Sequence, residues 1–138
     1  MPLAQILSDV NWFAVVTATA AAFMLGGLWY SKSLFGKAWM QEVGLTEQAI
    51  GNANMVRTFG GTIILQALSA TALSAFLGAD STWQTGLQAG LWVGLFWIAT
   101  AYGVTYLFEQ RSLRLFFINA GYYVVLYAVA GTIIGAWR

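Results

Sequence analysis

The sequence predicts an all-α integral membrane protein, a four-helix bundle with a short interfacial helix in its first cytoplasmic loop. Two observations carry that prediction. Charged residues make up 8% of the 138 positions and the mean hydropathy is +0.70, whereas an ordinary soluble domain carries about 25% charged residues. The six basic and five acidic side chains are also unevenly placed, leaving four long stretches with none.

The stretches define one transmembrane domain over residues 1–138, with spans at about 10–31, 58–79, 84–108 and 115–137. Each exceeds the roughly 20 residues that a helix needs to cross about 30 Å of hydrocarbon. Asp9, Lys32, Lys37, Glu42, Glu47, Arg57, Asp80, Glu109, Arg111, Arg114 and Arg138 all fall outside them, as expected when a charge at mid-helix costs about 2.5–3.5 kcal/mol. Spanning strands would alternate apolar and polar residues, but Phe13 to Leu25 is apolar or small throughout. Helices satisfy such a backbone internally. The first span is expected to be retained and not cleaved as a signal peptide, because its leader has no Lys or Arg and carries Asp9.

The short links at 78–82 and 109–112 predict tight hairpins between antiparallel neighbours. The first link, residues 31–56, is long enough to hold structure. Leu34, Phe35, Ala38, Trp39, Met40 and Val43 recur at helical spacing opposite Lys37, Gln41 and Glu42, and Gly44 supplies a stop. A short helix in the membrane interface fits that pattern, with a loop packed over the bundle as the alternative.

Links one and three carry Lys32, Lys37, Arg57, Arg111 and Arg114, against Arg138 on the other side. The positive-inside rule then places these links in the cytoplasm, and both termini outside it, in a bacterial inner (plasma) membrane. Trp12, Trp83 and Trp137 form the expected outer aromatic belt.

Small residues recur four apart at Ala14, Ala18, Ala22 and Gly26, at Gly86, Gly90 and Gly94, and at Gly131 and Gly135. Such rows let helix backbones approach closely. They fit either a subunit interface or contacts within one bundle. Polar residues within spans form a second group: Gln66, with Thr62 and Ser69 nearby, and the row Asn119, Tyr123 and Tyr127. They would line a small polar pocket or path, or simply bridge helices through hydrogen bonds. Trp92 and Trp97 read as packing or lipid-facing aromatics.

The composition narrows the chemistry. There is no Cys and no His, which removes thiolate chemistry, the commonest metal ligand and the commonest general base. No carboxylate sits inside a span and no phosphate-binding loop is present. No catalytic, metal or cofactor site is therefore expected. A net charge of +1 argues against nucleic acid as a partner. The expected partners are the lipid bilayer and either further copies of the chain or other membrane subunits. Two alternatives stay open: a channel or facilitator for a neutral or weakly polar solute using Gln66, Asn119 and Tyr123, and a membrane enzyme acting on lipid through Glu109, or Tyr30 with Lys37.

LWYSKSLFGKAWM at 28–40, LFEQRSLRLFFINAGY at 107–122 and the closing GTIIGAW resemble an uncharacterised bacterial membrane family, domain-of-unknown-function family 1761. The resemblance runs over nearly the whole chain and implies the four-helix architecture without implying an activity. That family commonly carries Pro after the WYS triplet, where this chain has Lys32, so a less sharp turn is expected on leaving the first span. Both motifs fall on the predicted cytoplasmic face. Trp29, Tyr30, Phe35, Lys37 and Trp39 are accordingly expected to dock against Glu109, Arg111 and Arg114, with Lys37 paired to Glu109, the alternative being separate solvated loops with aromatic anchors.

Overall fold

The computed structural model describes residues 2–138. Its helices are α1 (Leu3–Ser8), α2 (Trp12–Trp29), α3 (Gly36–Val43), α4 (Glu47–Gly51), α5 (Met55–Leu77), α6 (Trp83–Trp92), α7 (Thr100–Glu109) and α8 (Leu113–Ala136), with a π-helical segment, Val93–Ala99, joining α6 to α7. Four helical stretches are long and apolar enough to cross a membrane: α2, α5, Trp83–Glu109 and α8. The family-like expectation of four spanning helices is met. Helix α1 lies outside the expected elements, and the chain breaks after it because Asn11 caps α2, its Oδ1 accepting from the Phe13 and Ala14 amides.

Helix α8 is the centre of the bundle, with Leu115, Ile118, Tyr122, Leu126, Ala130 and Ile134 buried along it. Helix α2 packs on one side through Ala14, Val15, Ala18 and Ala22, and α5 closes that side with Ala70, Leu73 and Ser74. Helix α6 packs on another side of α8 through glycine. The Gly131 and Tyr127 carbonyl oxygens lie where side chains on Gly86 and Gly90 would begin, and a Cβ on Gly94 would come within 2.8 Å of the Val124 Cα. Gly131 and Gly135 return the relationship toward the Gly86 and Thr82 carbonyls. The small-residue rows of α2, α6 and α8 thus make close contacts within the chain.

Helices α5 and α6 are adjacent in sequence but touch lightly, and α5 meets the π-helical segment through Phe76 against Trp97, ring centroids 6.5 Å apart. The third span is therefore covered mainly by α8. It is the least buried of the four.

Links one and three share one end of the bundle, where Ser112 of the third link meets Glu42 of α3. Trp12, Trp83 and Trp137 share the other. There the Asn11 side-chain amide donates to the Trp137 carbonyl at 2.8 Å, and Thr82 lies against Gly135. The turn out of the first span is tight without proline. The Phe35 amide reaches back to the Trp29 carbonyl at 3.0 Å and the Gly36 amide to Ser31 at 2.9 Å. Gly36 permits this, since a side chain there would strike the Tyr30 and Ser31 carbonyls. Helix α3 ends as expected at Gly44, whose φ of +75° is left-handed and suits glycine.

Candidate functional site

The polar groups inside the spans gather around Tyr122. Its ring is buried on α8 at the place where the row of α2 ends in Ala22 and Gly26. The absence of a side chain on Gly26 makes the room, because a Cβ there would stand 3.0 Å from the Tyr122 hydroxyl. That hydroxyl donates to the Ala22 carbonyl at 2.9 Å and accepts from the Gln66 side-chain amide at 2.9 Å. One side chain thereby ties α2, α5 and α8. The Gln66 Oε1 is buried and has no partner among the described residues.

A second junction lies one to two turns nearer the charged end. Asn119 Oδ1 accepts from the Tyr30 hydroxyl at 2.7 Å, and its amide nitrogen donates to the Tyr106 hydroxyl at 2.7 Å. The Trp29 indole donates to the Ile118 carbonyl at 2.9 Å. The rings of Tyr30, Trp29 and Tyr123 all contact Tyr122, and Trp39 of α3 stands edge-on to Tyr30 at 5.9 Å. Phe35 packs against Trp29 at 4.8 Å.

The expected polar residues are therefore divided between different partners. Gln66 bonds Tyr122, Asn119 bonds Tyr30 and Tyr106, Tyr127 bonds Ser69 in a different part of the α5 interface, and Tyr123 stacks on Tyr102 at 5.5 Å. Thr62 returns its hydroxyl to the Thr58 carbonyl of its own helix. Tyr122, Tyr102 and Tyr106 are not among the residues expected from the sequence. For Tyr122 a signal exists in the small Ala22 and Gly26, which leave space for one large side chain opposite. A groove of about 430 Å³ runs along α2 and α5, lined by residues including Val15, Thr19, Phe23, Met24, Ile63 and Ala67. Its lining is apolar but for Thr19 and includes neither Gln66 nor Tyr122.

At the charged end the aromatic half of the expected cluster forms, but it docks on α8 and not on the third link. Glu42 takes the place foreseen for Lys37. Its carboxylate accepts from the Ser112 hydroxyl at 2.7 Å and stands 3.7 Å from the Arg114 guanidinium, which also reaches Gln41 at 3.5 Å. Glu109 pairs with Arg111 at 3.6 Å. The expected pair of Lys37 with Glu109 is absent among the described residues. The reason is the roll of α3, which turns Gln41 and Glu42 toward the start of α8 and leaves Lys37 exposed. Lys32 instead pairs with Glu47, whose carboxyl is held below the usual carboxylate range, first by the hydrogen bond from Lys32 and then by its charge.

At the opposite end Arg138 closes α5. Its guanidinium donates to the Ser74 Oγ and carbonyl at 2.9 Å and to the Gly78 carbonyl at 2.8 Å, supplying partners that a helix C-terminus lacks. Burial there lowers the Arg138 pKa, with Asp9 acting in the opposite direction.

One polar side chain stands apart. Gln88 lies on α6 within the third span, is exposed, and has no hydrogen-bond partner among the described residues. It also was not among the expected residues. No group of His, Cys, Asp and Glu among the described residues is arranged to hold a metal ion.

The family-like motifs thus supply the aromatic junction, the Ser112 cap and the Asn119 bridge. The model of the family described as protein of unknown function (DUF1761) matches residues 13–135. The chain belongs to the DUF1761 family. No curated protein and no solved structure gives a significant match. Within the family match lie all four spanning helices nearly complete, both hydrogen-bonded junctions and the glycine contact of α6 with α8.

Proposed function

We propose that this DUF1761 chain is a non-catalytic helical subunit of the inner (plasma) membrane that acts through protein contacts, in an oligomer or a larger membrane complex. The observation that supports this is the one-sided packing of the third span. Helix α8 covers its glycine side, while Trp92 and Phe96 remain 60% and 54% exposed. Aromatic belts belong at the membrane boundary, yet these rings lie near the middle of a spanning helix, where a packed neighbour would cover them. The inward-facing polar groups are largely matched to one another, which suits a structural element better than a reaction site.

Lys32, Lys37, Arg57, Arg111 and Arg114 support placing links one and three in the cytoplasm, with the termini on the other side. Because the chain has no Cys, single cysteines at positions 3 and 138 test this cleanly. Labelling by an impermeant reagent in intact cells is expected, and protection of both would reverse the orientation. The role itself is tested by extracting the protein from its native membrane in mild detergent and identifying mass and co-purifying chains. A complex larger than one chain is expected; a lone chain would overturn the reading.

A second reading, a facilitator for a neutral or weakly polar solute, is favoured by the buried, unpartnered Gln66 Oε1. Such an atom would accept a hydrogen bond from water or a passing solute. Solute flux in vesicles that is abolished by Gln66→Leu would establish it, and unchanged flux would remove it.

A further inference from the structure

The third span turns two unlike faces outward and inward. Gly86, Gly90 and Gly94 follow one another at four-residue spacing and face α8. Gln88 and Trp92 repeat the same spacing two residues further on, about 200° round α6, and so face away from the bundle, with Phe96 following in the π-helical segment. All three are exposed. Trp92 and Phe96 stack with ring centroids 4.6 Å apart.

Depth makes this face unusual. Phe96 is the middle residue of the span Trp83–Glu109. At no more than about 1.5 Å per residue Trp92 lies within about 6 Å and Gln88 within about 12 Å of that midpoint, inside a hydrocarbon layer of about 15 Å on each side. Among the described residues the Trp29 indole has an acceptor at 2.9 Å, while the Trp92 indole N–H and both ends of the Gln88 amide have none. Trp12, Trp83 and Trp137 sit at helix ends, where water and headgroups can serve them. Lipid tails offer Trp92 and Gln88 nothing, and an unmet polar group in hydrocarbon is costly.

We propose that this face binds the same face of a second copy of the chain, with the Trp92 indole of each copy donating to the Gln88 Oε1 of the other. The argument for a second copy is self-complementarity. A donor and an acceptor four residues apart on one face are brought together twice when two copies with the same orientation meet about a twofold axis along the membrane normal. Helical side chains lean toward the helix N-terminus, Gln88 and Trp92 alike, so the longer indole has to bridge the roughly 6 Å between their levels. Phe96 of each copy adds apolar contact beneath the pair. This inference rests on the proposed role in protein contacts and names the partner.

Oxidative cross-linking of the full chain in native membranes tests it, again helped by the absence of Cys. Leu95→Cys beside the face is expected to give a dimer, whereas Val16→Cys on α2 and Leu65→Cys on α5, both lipid-exposed, are not. In the Leu95→Cys background, Gln88→Leu and Trp92→Phe should each weaken dimerisation by about eightfold, since either change removes both equivalent hydrogen bonds of about threefold each. Combining them should add little, because both remove the same bonds. All these positions are exposed, so folding of the single chain is not at stake. A dimer formed at Val16→Cys or Leu65→Cys instead, or one at Leu95→Cys that neither Gln88→Leu nor Trp92→Phe weakens, overturns the proposal. Capture of a different chain at Leu95→Cys overturns the second copy while supporting the role in protein contacts. No partner of any kind at any position overturns both.

Discussion

The Gly131 carbonyl occupies the place where a side chain on Gly86 would begin, and the Gly86 carbonyl stands in the same relation to Gly131. Neither helix can give way locally, since backbone meets backbone. Gly86→Ala or Gly131→Ala must push α6 from α8 along the contact that also holds Gly90 and Gly135. Overpacking of this kind costs about 1–3 kcal/mol. Gly27 has open space around its Cα, so Gly27→Ala should be neutral or slightly stabilising through helix propensity. Unfolding of the reconstituted chain, followed by circular dichroism, checks the contrast. Equal effects at Gly86 and Gly27 would show that the two helices do not touch in this way.

The Tyr122 hydroxyl is the shared partner of Gln66 and Ala22. Tyr122→Phe keeps the buried ring but leaves the Gln66 amide with neither of its polar ends matched, a loss of about 1–3 kcal/mol. Gln66→Leu removes a single hydrogen bond, worth about 0.6 kcal/mol in a membrane, together with an acceptor that already lacks a partner. The second change should therefore be the milder, near neutral or stabilising. The order of the two unfolding midpoints decides it, and a larger loss from Gln66→Leu would mean that its Oε1 is satisfied after all.

These two relationships differ in how far the sequence exposes them. The number of spans follows from where charge is excluded, a signal that accumulates over twenty residues at a time. The glycine rows were visible as rows, but spacing along one helix carries no information about which helix lies opposite. Only the register of α6 on α8 assigns Gly86 to Gly131. The polar residues show the same limit. Asn119, Tyr123 and Tyr127 line up by sequence interval, yet Asn119 turns to Tyr30 and Tyr106 while Tyr127 turns to Ser69. Tyr122, between them and the more buried, takes Gln66. The Lys37 to Glu109 pair failed for a related reason. A short amphipathic helix fixes which residues share a side, but the angle at which α3 meets α8 chose Glu42 for Ser112.

Ser112 serves two elements. Its Oγ accepts from the Leu115 amide at 3.0 Å as the cap of α8, and its hydroxyl donates to Glu42 of α3 at 2.7 Å. Ser112→Ala should cost about 1 kcal/mol from the lost cap and also free α3. Glu42→Gln keeps an acceptor for Ser112 and removes the charge near Arg114, so its effect on stability should be smaller. Hydrogen exchange at residues 37–43 separates the two roles: faster exchange in Ser112→Ala than in Glu42→Gln is expected, and no change in either would show that α3 is held by its aromatic contacts alone.

The pair of Lys32 with Glu47 ties the turn after the first span to α4 and lies in open solvent. Lys32 lowers the Glu47 pKa in the folded chain, so the folded state binds that proton less readily than the unfolded state. The stabilisation is present above the ordinary carboxylate value of about 4.3 and is lost as pH falls through the lowered folded value. Exposure to solvent makes the contribution small and sensitive to salt. Lys32→Gln removes the charge and leaves only a neutral amide as donor, so the Glu47 carboxyl should titrate higher, back toward the ordinary range. Carbon-detected NMR of the Glu47 carboxyl across the acid range measures this directly. A titration midpoint that does not move in Lys32→Gln would place the two side chains apart in solution, and α4 would then need another anchor.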